Sequence, residues 1–139
     1  MGLTHDAIAS DRTDVLAKMQ QSINGFNTND NAAMAANLMP SLVILNDLPP
    51  FHFQRPNAPS DWGNAFGAKA EEDEITEPAM KLLDATYVNI RGHHAYAVVP
   101  AIYSFKKRNE PIQQDCIITA VLEKTDKNWR IASWVWTRQ

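Results

Sequence analysis

The period of apolar and polar positions changes midway along the chain. Over roughly residues 4–26, Ile8, Val15, Met19, Ile23 and Phe26 recur at steps of three, four and seven. That spacing draws one stripe down a helix, with Thr4 or Asp6 as its cap and Gly25 and Asn27 at its end. Thr28-Asn29-Asp30-Asn31 offers several N-caps for a short second helix over residues 32–39, carrying Met34 and Leu38 and stopped by Pro40. Leu42-Val43-Ile44-Leu45 reads as a buried strand, and Asp47-Leu48-Pro49-Pro50 breaks it. Phe51-His52-Phe53-Gln54 alternates as a brief second strand, and residues 55–59 form a loop. Ser60 or Asp61 caps a third helix over about residues 61–73, with Trp62, Phe66 and Ala70 at steps of four. Its acidic end, Glu71-Glu72-Asp73-Glu74, opposes the helix dipole and predicts fraying.

Beyond Ile75 the period becomes that of strands. Residues 81–91, 95–106, 112–124 and 129–137 are predicted strands, parted by turns at Gly92-His93-His94, at Arg108-Asn109-Glu110-Pro111 and at Thr125-Asp126-Lys127-Asn128. Four strands at hairpin spacing make an antiparallel meander. Helices gathered in the first half and strands in the second predict one α+β domain over residues 1–139, with no repeat and no linker.

Composition narrows the function classes. The chain has 139 residues, 45% of them hydrophobic, enough for one sizeable core. Thirteen basic against sixteen acidic residues give a net charge of −3. The basic residues are scattered apart from Lys106-Lys107-Arg108, which reads as a solvated hairpin tip, so a nucleic-acid partner is not expected. The single cysteine, Cys116, permits no intrachain disulfide, and its apolar run predicts a buried, inert thiol. No apolar stretch approaches the roughly 18 residues that span a membrane. Met1-Gly2-Leu3-Thr4-His5-Asp6 lacks the charged and apolar regions of a signal peptide. Gly2 suits myristoylation, but Asp6 stands where that motif has Ser or Thr. A cytoplasmic setting is the expectation.

The order helix, helix, short strands, helix, meander resembles the cone of the nuclear transport factor 2-like superfamily, which includes SnoaL-like and ketosteroid-isomerase-like proteins. Phe26-Asn27-Thr28-Asn29-Asp30, with the Ala-rich helix and Pro40 after it, resembles the family's link between its first helices. Asn128-Trp129-Arg130-Ile131 followed by Ala132-Ser133-Trp134 resembles its last hairpin and strand. Asn46-Asp47-Leu48-Pro49-Pro50-Phe51, together with residues 95–103, looks like a bacterial subgroup of unassigned activity. The likeness covers roughly residues 8–137 and rests on order and spacing, not on one motif. It implies a bent sheet that encloses a pocket with the helices and commonly dimerises through its convex face. Members include isomerases, dehydratases, hydrolases and non-catalytic binders, so the fold leaves function open.

Alternation then sorts the strand residues. Ile131 resembles the family's inward core position, which would turn Ser133 and Val135 inward too. Trp134 and Trp136 would project outward as the apolar patch of a homodimer; a one-residue shift of parity would bury them instead. Ala95, Ala97, Val99, Ala101, Tyr103 and Phe105 share a face, and inward small residues there leave room for a ligand.

Isomerase-type chemistry needs a carboxylate base and a donor to the forming enolate. Asp47, after four apolar residues, is the candidate base; capping the turn at Pro49-Pro50 is its bland alternative. Tyr103 or Tyr87 is the candidate donor, against a tyrosine merely bonded to backbone. His52 is a candidate base or polar gate, against a surface histidine. No acidic partner for Asp47 is evident on the third or fourth strand of the meander, so the isomerase set is incomplete. The expected catalytic residues are Asp47, His52 and Tyr103; the expected ligand-binding residues are Phe51, Trp62, Phe66, Tyr87, Val99 and Ser133. Trp62 and Phe66 equally suit the core. No metal ligands stand at suitable spacing around His93-His94, and neither metal nor cofactor is expected. The expected partner is a small hydrophobic or aromatic molecule. A scaffold that only dimerises is the alternative.

Overall fold

The computed structural model describes residues 5–54 and 57–139, with side chains from Ser10 onward. Its elements are α1 (His5–Asn27), α2 (Asn31–Ala36), β1 (Leu38–Asn46), β2 (His52–Gln54), α3 (Ala58–Glu72), β3 (Ile75–Leu82), β4 (Tyr87–Arg91), β5 (His94–Lys107), β6 (Glu110–Thr125) and β7 (Asn128–Arg138). This is the α+β arrangement that the change of period predicts.

The stripe on α1 buries Val15, Met19 and Ile23. The expected caps at Thr4 or Asp6, the Ile8 contact and His5 lie outside the described side chains. Asp11 lies on the buried face as well. It accepts hydrogen bonds from Lys124 Nζ at 3.0 Å and Trp129 Nε1 at 3.1 Å, tying the helix to the last hairpin. Burial alone would push its carboxyl up, but those two bonds and the Lys124 charge outweigh burial and hold it below the ordinary 3.8.

At the other end of α1 a Cβ on Gly25 would stand 2.7 Å from the Met34 backbone nitrogen, so only glycine lets α2 pack there. Asn27 imitates a strand partner. Its Nδ2 donates to Met80 O at 2.9 Å, and its Oδ1 accepts from Met80 N at 2.7 Å. These two bonds pin the helix to the free edge of β3. Asp30 caps α2 by accepting from Ala33 N at 3.0 Å.

Several boundaries differ from expectation. The second helix ends at Ala36; Leu38 and Pro40 belong to β1. Pro40 is tolerated because it falls in the irregular stretch between the pairs Leu38↔Ile131 and Val43↔Ser133. Helix α3 begins at Ala58, with Pro59 in its first turn, where a missing N–H costs nothing. Arg55 and Pro56 of the expected loop lie outside the described residues. The strand expected over residues 81–91 is two strands, β3 and β4. Both pair with β5, β3 through residues 101–107 and β4 through residues 94–98.

The sheet has seven strands in the order β2-β1-β7-β6-β5-β3, with β4 also on β5. All pairs are antiparallel except β1 with β7. Its inner face buries Ala95, Ala97, Val99, Ala101, Tyr103 and Phe105 from β5, and Cys116, Ile118, Ala120 and Leu122 from β6.

The last strand departs from simple alternation. Leu122 pairs with Ile131, but the next residue back, Val121, pairs with Ser133. Ala132 is therefore an extra residue in β7, a bulge that resets the faces. Ile131 is inward as expected, and so are Trp134, opposite Ala120, and Trp136, opposite Ile118. Ser133 and Val135 face out. The homodimer patch expected from Trp134 and Trp136 is thus not on the surface: both rings pack against the core.

Candidate functional site

Helix α3, the end of β1 and the far halves of β5 to β7 frame a cleft of about 270 Å³. Phe66, Tyr103 and Trp136 supply its aromatic wall, and Phe105, Ile75 and Ile112 continue the apolar lining. The Tyr103 and Trp136 rings meet edge-on at 4.9 Å between centroids, and Phe66 lies 6.4 Å from each. Three cations and two carboxylates, Lys69, Lys107, Arg138, Asp47 and Asp73, line the cleft. Arg138 Nε lies 2.6 Å from Asp47 Oδ2, and Lys69 Nζ lies 3.3 Å from Asp73 Oδ1.

Local chemistry explains these positions. Asn46, not Asp47, makes the Asx-turn, its Oδ1 accepting from Leu48 N at 3.0 Å ahead of the cis Pro49-Pro50 bond. The Asp47 carboxylate is thereby left for Arg138. The apolar run before it does not desolvate it, because its side chain is 52% exposed. Arg138 reaches it because the bulge at Ala132 sets residues 134, 136 and 138 on the inner face. On α3, Trp62, Phe66, Lys69 or Ala70, and Asp73 follow one another by about one turn along one stripe.

Tyr103 stands with its ring buried in the wall. Burial pushes its hydroxyl up to about 12, against the pull of the Arg138 charge, so it is a neutral donor at physiological pH. Gln114 lies directly opposite it on β6. Cys116, deeper on the same face, has its thiol pushed up by burial, with the Trp136 indole and the Tyr103 backbone opposing that shift.

A second, smaller apolar cavity of about 30 Å³ is walled by Ser22, Ile23, Phe26, Trp62, Met80, Trp134 and others. Trp136 lines both spaces. Phe26, Trp62, Phe66 and Trp136 fill most of the room under α3 with mutually packed rings.

Of the residues singled out in the sequence, Asp47, Phe66 and Tyr103 meet at the cleft, and Trp62 at the cavity. The others lie elsewhere. His52 is exposed and pairs with Leu45, on the outer face that bears Val135. Phe51 is 57% exposed, in a positive-φ turn residue. Tyr87 is 51% exposed and stacks edge-on with Tyr96 on the outer face. Ser133 is on that face too, and Val99 is sealed in the core against Ile118. The cleft residues that sequence reasoning missed include Trp136, Arg138, Lys69, Asp73, Lys107 and Gln114. The signal for the first two was the alternation of residues 134, 136 and 138, hidden by the bulge. Among the described residues no group of three or more His, Cys, Asp or Glu side chains is placed to hold a metal, and no helix is long and apolar enough to cross a membrane.

Solved structures share this architecture. A nuclear transport factor 2-like superfamily protein from Salmonella enterica serovar Typhimurium aligns over 95% of this chain and 93% of its own, at 14% identity and a TM-score of 0.74. A ketosteroid isomerase-like protein from Erwinia carotovora atroseptica aligns over 91% and 94%, at 12% identity and a TM-score of 0.69. A type 2 hexachlorocyclohexane dehydrochlorinase aligns over 94% and 86%, at 10% identity and a TM-score of 0.79. At these identities the likeness is one of fold. Among curated proteins none matches by sequence. The model of the SnoaL-like domain matches residues 15–136, which includes α3, nearly all of the sheet and the aromatic wall, and the chain therefore belongs to the SnoaL-like domain family.

Proposed function

We propose that this protein binds a small hydrophobic or aromatic molecule in the cleft between α3 and the sheet, with Asp47 and Tyr103 as its acid/base pair for isomerase- or dehydratase-like chemistry. The observation that carries the reading is the roughly 270 Å³ opening, in which the Phe66, Tyr103 and Trp136 rings meet a rim of ion pairs. Its size and lining suit a compact ligand with an apolar body and a few polar groups. Asp47 is a carboxylate beside the opening, and Tyr103 is a hydroxyl that stays protonated. That division of labour fits proton removal by one group and donation to a developing oxyanion by the other. His52 has no part in this reading, being on the outer face.

Titrating bicyclic aromatic molecules and following tryptophan fluorescence tests binding. Saturable quenching is expected in the wild type, weakened about fivefold in Phe66→Ala, since a lost ring contact is worth on the order of 1 kcal/mol. No saturable binding, or equal affinity in the variant, defeats the proposal. Once a turned-over substrate is in hand, Asp47→Asn is expected to cut kcat by about 10²–10⁴; unchanged turnover removes Asp47 from the base role.

A second reading, a dimerisation module, is favoured by the outer face of the sheet. Tyr87 and Tyr96 form an exposed ring pair 6.1 Å apart there, and Leu45 is exposed on the same face. Homodimerisation belongs to this face, not to Trp134 and Trp136, and is compatible with an occupied cleft.

A further inference from the structure

Polar residues of the sheet's inner face gather at the cleft. On β6 the inward series reads Ile112, Gln114, Cys116, Ile118, Ala120 and Leu122, and Gln114 alone interrupts its apolar character. On β5 the inward series is apolar up to Tyr103, and on β7 it runs Trp134, Trp136 and then Arg138. Gln114, Tyr103 and Arg138 all line the cleft. A face that packs a core has no use for a glutamine, whose amide loses water there and needs a partner in return. Gln114 is half-buried, and among the described residues its amide has no hydrogen-bond partner. The hydroxyl of Tyr103, a residue only 7% exposed, has none either.

Register brings two of these groups together. Arg138 pairs with Cys116, and Gln114 stands two residues away on β6, so Arg138 and Gln114 are diagonal neighbours on the inner face. Such neighbours lie about 7–8 Å apart, a gap that a carboxylate held between two long side chains spans. The strand is kept in place there by Gln139 N, which donates to Asp115 O at 3.0 Å. Asp47 meets Arg138 at Nε, and among the described residues the terminal Nη groups have no partner, leaving them for a second acceptor. Charge points the same way. The chain carries a net −3, yet three cations and two carboxylates line the cleft. Lys69 is met by Asp73 and Glu72 of its own helix region. Lys107 forms no ion pair among the described residues, not even with Glu110 opposite it. A single negative charge in the cleft makes the lining neutral.

From this we infer that the ligand is a monocarboxylate, held with its carboxylate between Gln114 Nε2 and the Arg138 Nη groups and its apolar body against Phe66 and Trp136. The inference rests on the cleft being the binding site and goes further by naming the ligand class and its orientation. A guanidinium is a planar fork that meets a carboxylate edge-on, and Gln114 adds a donor without adding charge. The substrate class is then an aromatic or alicyclic acid with one carboxylate, and Gln114 and Arg138 set specificity for it. A dianionic phosphate ester would turn the lining negative, and a neutral aromatic molecule would leave both donors to water.

The test compares 2-naphthoate with 2-naphthamide by calorimetric titration, since the two are nearly isosteric and differ in charge. In the wild type at low salt the acid is expected to bind about fivefold tighter, a charge-assisted contact discounted for the exposure of Arg138. Raising the salt to about 0.3 M should shrink that ratio and leave amide affinity within about twofold. Gln114→Glu keeps the side-chain size and sets a like charge beside the ligand's own. It should weaken the acid about tenfold and the amide less than about twofold. Arg138→Gln should abolish the preference for the acid. The wild-type ratio and its salt dependence stand even where a variant fails to fold. Equal binding of acid and amide by the wild type, or a ratio indifferent to salt, overturns the inference and leaves the cleft reading standing. So does a preference kept in Gln114→Glu or in Arg138→Gln; its loss in Lys107→Met alone would put the anion at the outer rim instead. Failure of both probes to bind overturns the inference and the cleft reading together.

Discussion

At the scale of single residues, polar side chains in this protein act by satisfying backbone and side-chain groups that the helices and sheet leave open. Asp11 shows the balance most clearly. Its carboxylate is buried at the α1 face yet kept ionised by Lys124 and Trp129. Asp11→Ala is expected to cost about 2 kcal/mol, less than a fully buried pair because Lys124 is partly exposed. The acid limb of the stability curve follows from the same bonds. A folded value below 3.8 means that the stabilisation is whole above the unfolded value and is lost as pH falls through the folded one. Chemical denaturation between pH 5 and roughly pH 2 should show this component in the wild type and not in Asp11→Ala. Sequence periodicity places Asp11 on the helix but cannot supply its partners, which are far away in the chain. Asp47 teaches the converse lesson. Its neighbour Asn46 took the turn-forming bond, and the carboxylate went to Arg138 at the end of the last strand.

At the scale of elements, small departures from regularity decide which residues can meet. Gly25 lets α2 approach α1 within van der Waals distance, and Gly25→Ala is expected to cost about 1–3 kcal/mol through the clash at Met34. A thermal melt some degrees lower than the wild type, with unchanged cleft binding, checks that the effect is local to the helix pair. The bulge at Ala132 has larger consequences. Helices, hairpins and the inward set on β5 were legible because their signals are local: a period of 3.6, a period of 2, and turn residues between. The bulge was not, since an inserted residue leaves the alternation of Trp134 and Trp136 looking perfect while reversing its sense relative to Ile131. One residue moved Trp134 and Trp136 from an expected interface to the inner face, put Trp136 in the aromatic wall, carried Arg138 to the cleft, and sent Ser133 out. Likewise, β3 and β4 read as one strand because both carry strand-forming residues; their division reflects where each finds β5.

At the scale of the whole molecule, the two faces of the sheet are given different tasks. The inner face carries the core and, at its far end, the cleft; the outer face carries Tyr87, Tyr96 and Leu45 exposed. If that outer face joins two copies, sedimentation at micromolar concentration should give a dimer, and Tyr96→Lys should give a folded monomer that keeps its cleft ligand. A wild type that sediments as a monomer rejects the dimer. The sequence by itself determined the α+β class, the helix stripe, the hairpins, the inward face of β5 and the likeness to the nuclear transport factor 2-like cone, because each depends on neighbours within a few positions. Only the tertiary structure decided that Asp47, Tyr103, Trp136 and Arg138 share one opening while His52, Phe51 and Tyr87 do not. That outcome depends on which strands pair and in what register, and a single bulged residue, costing little locally, reverses every assignment beyond it.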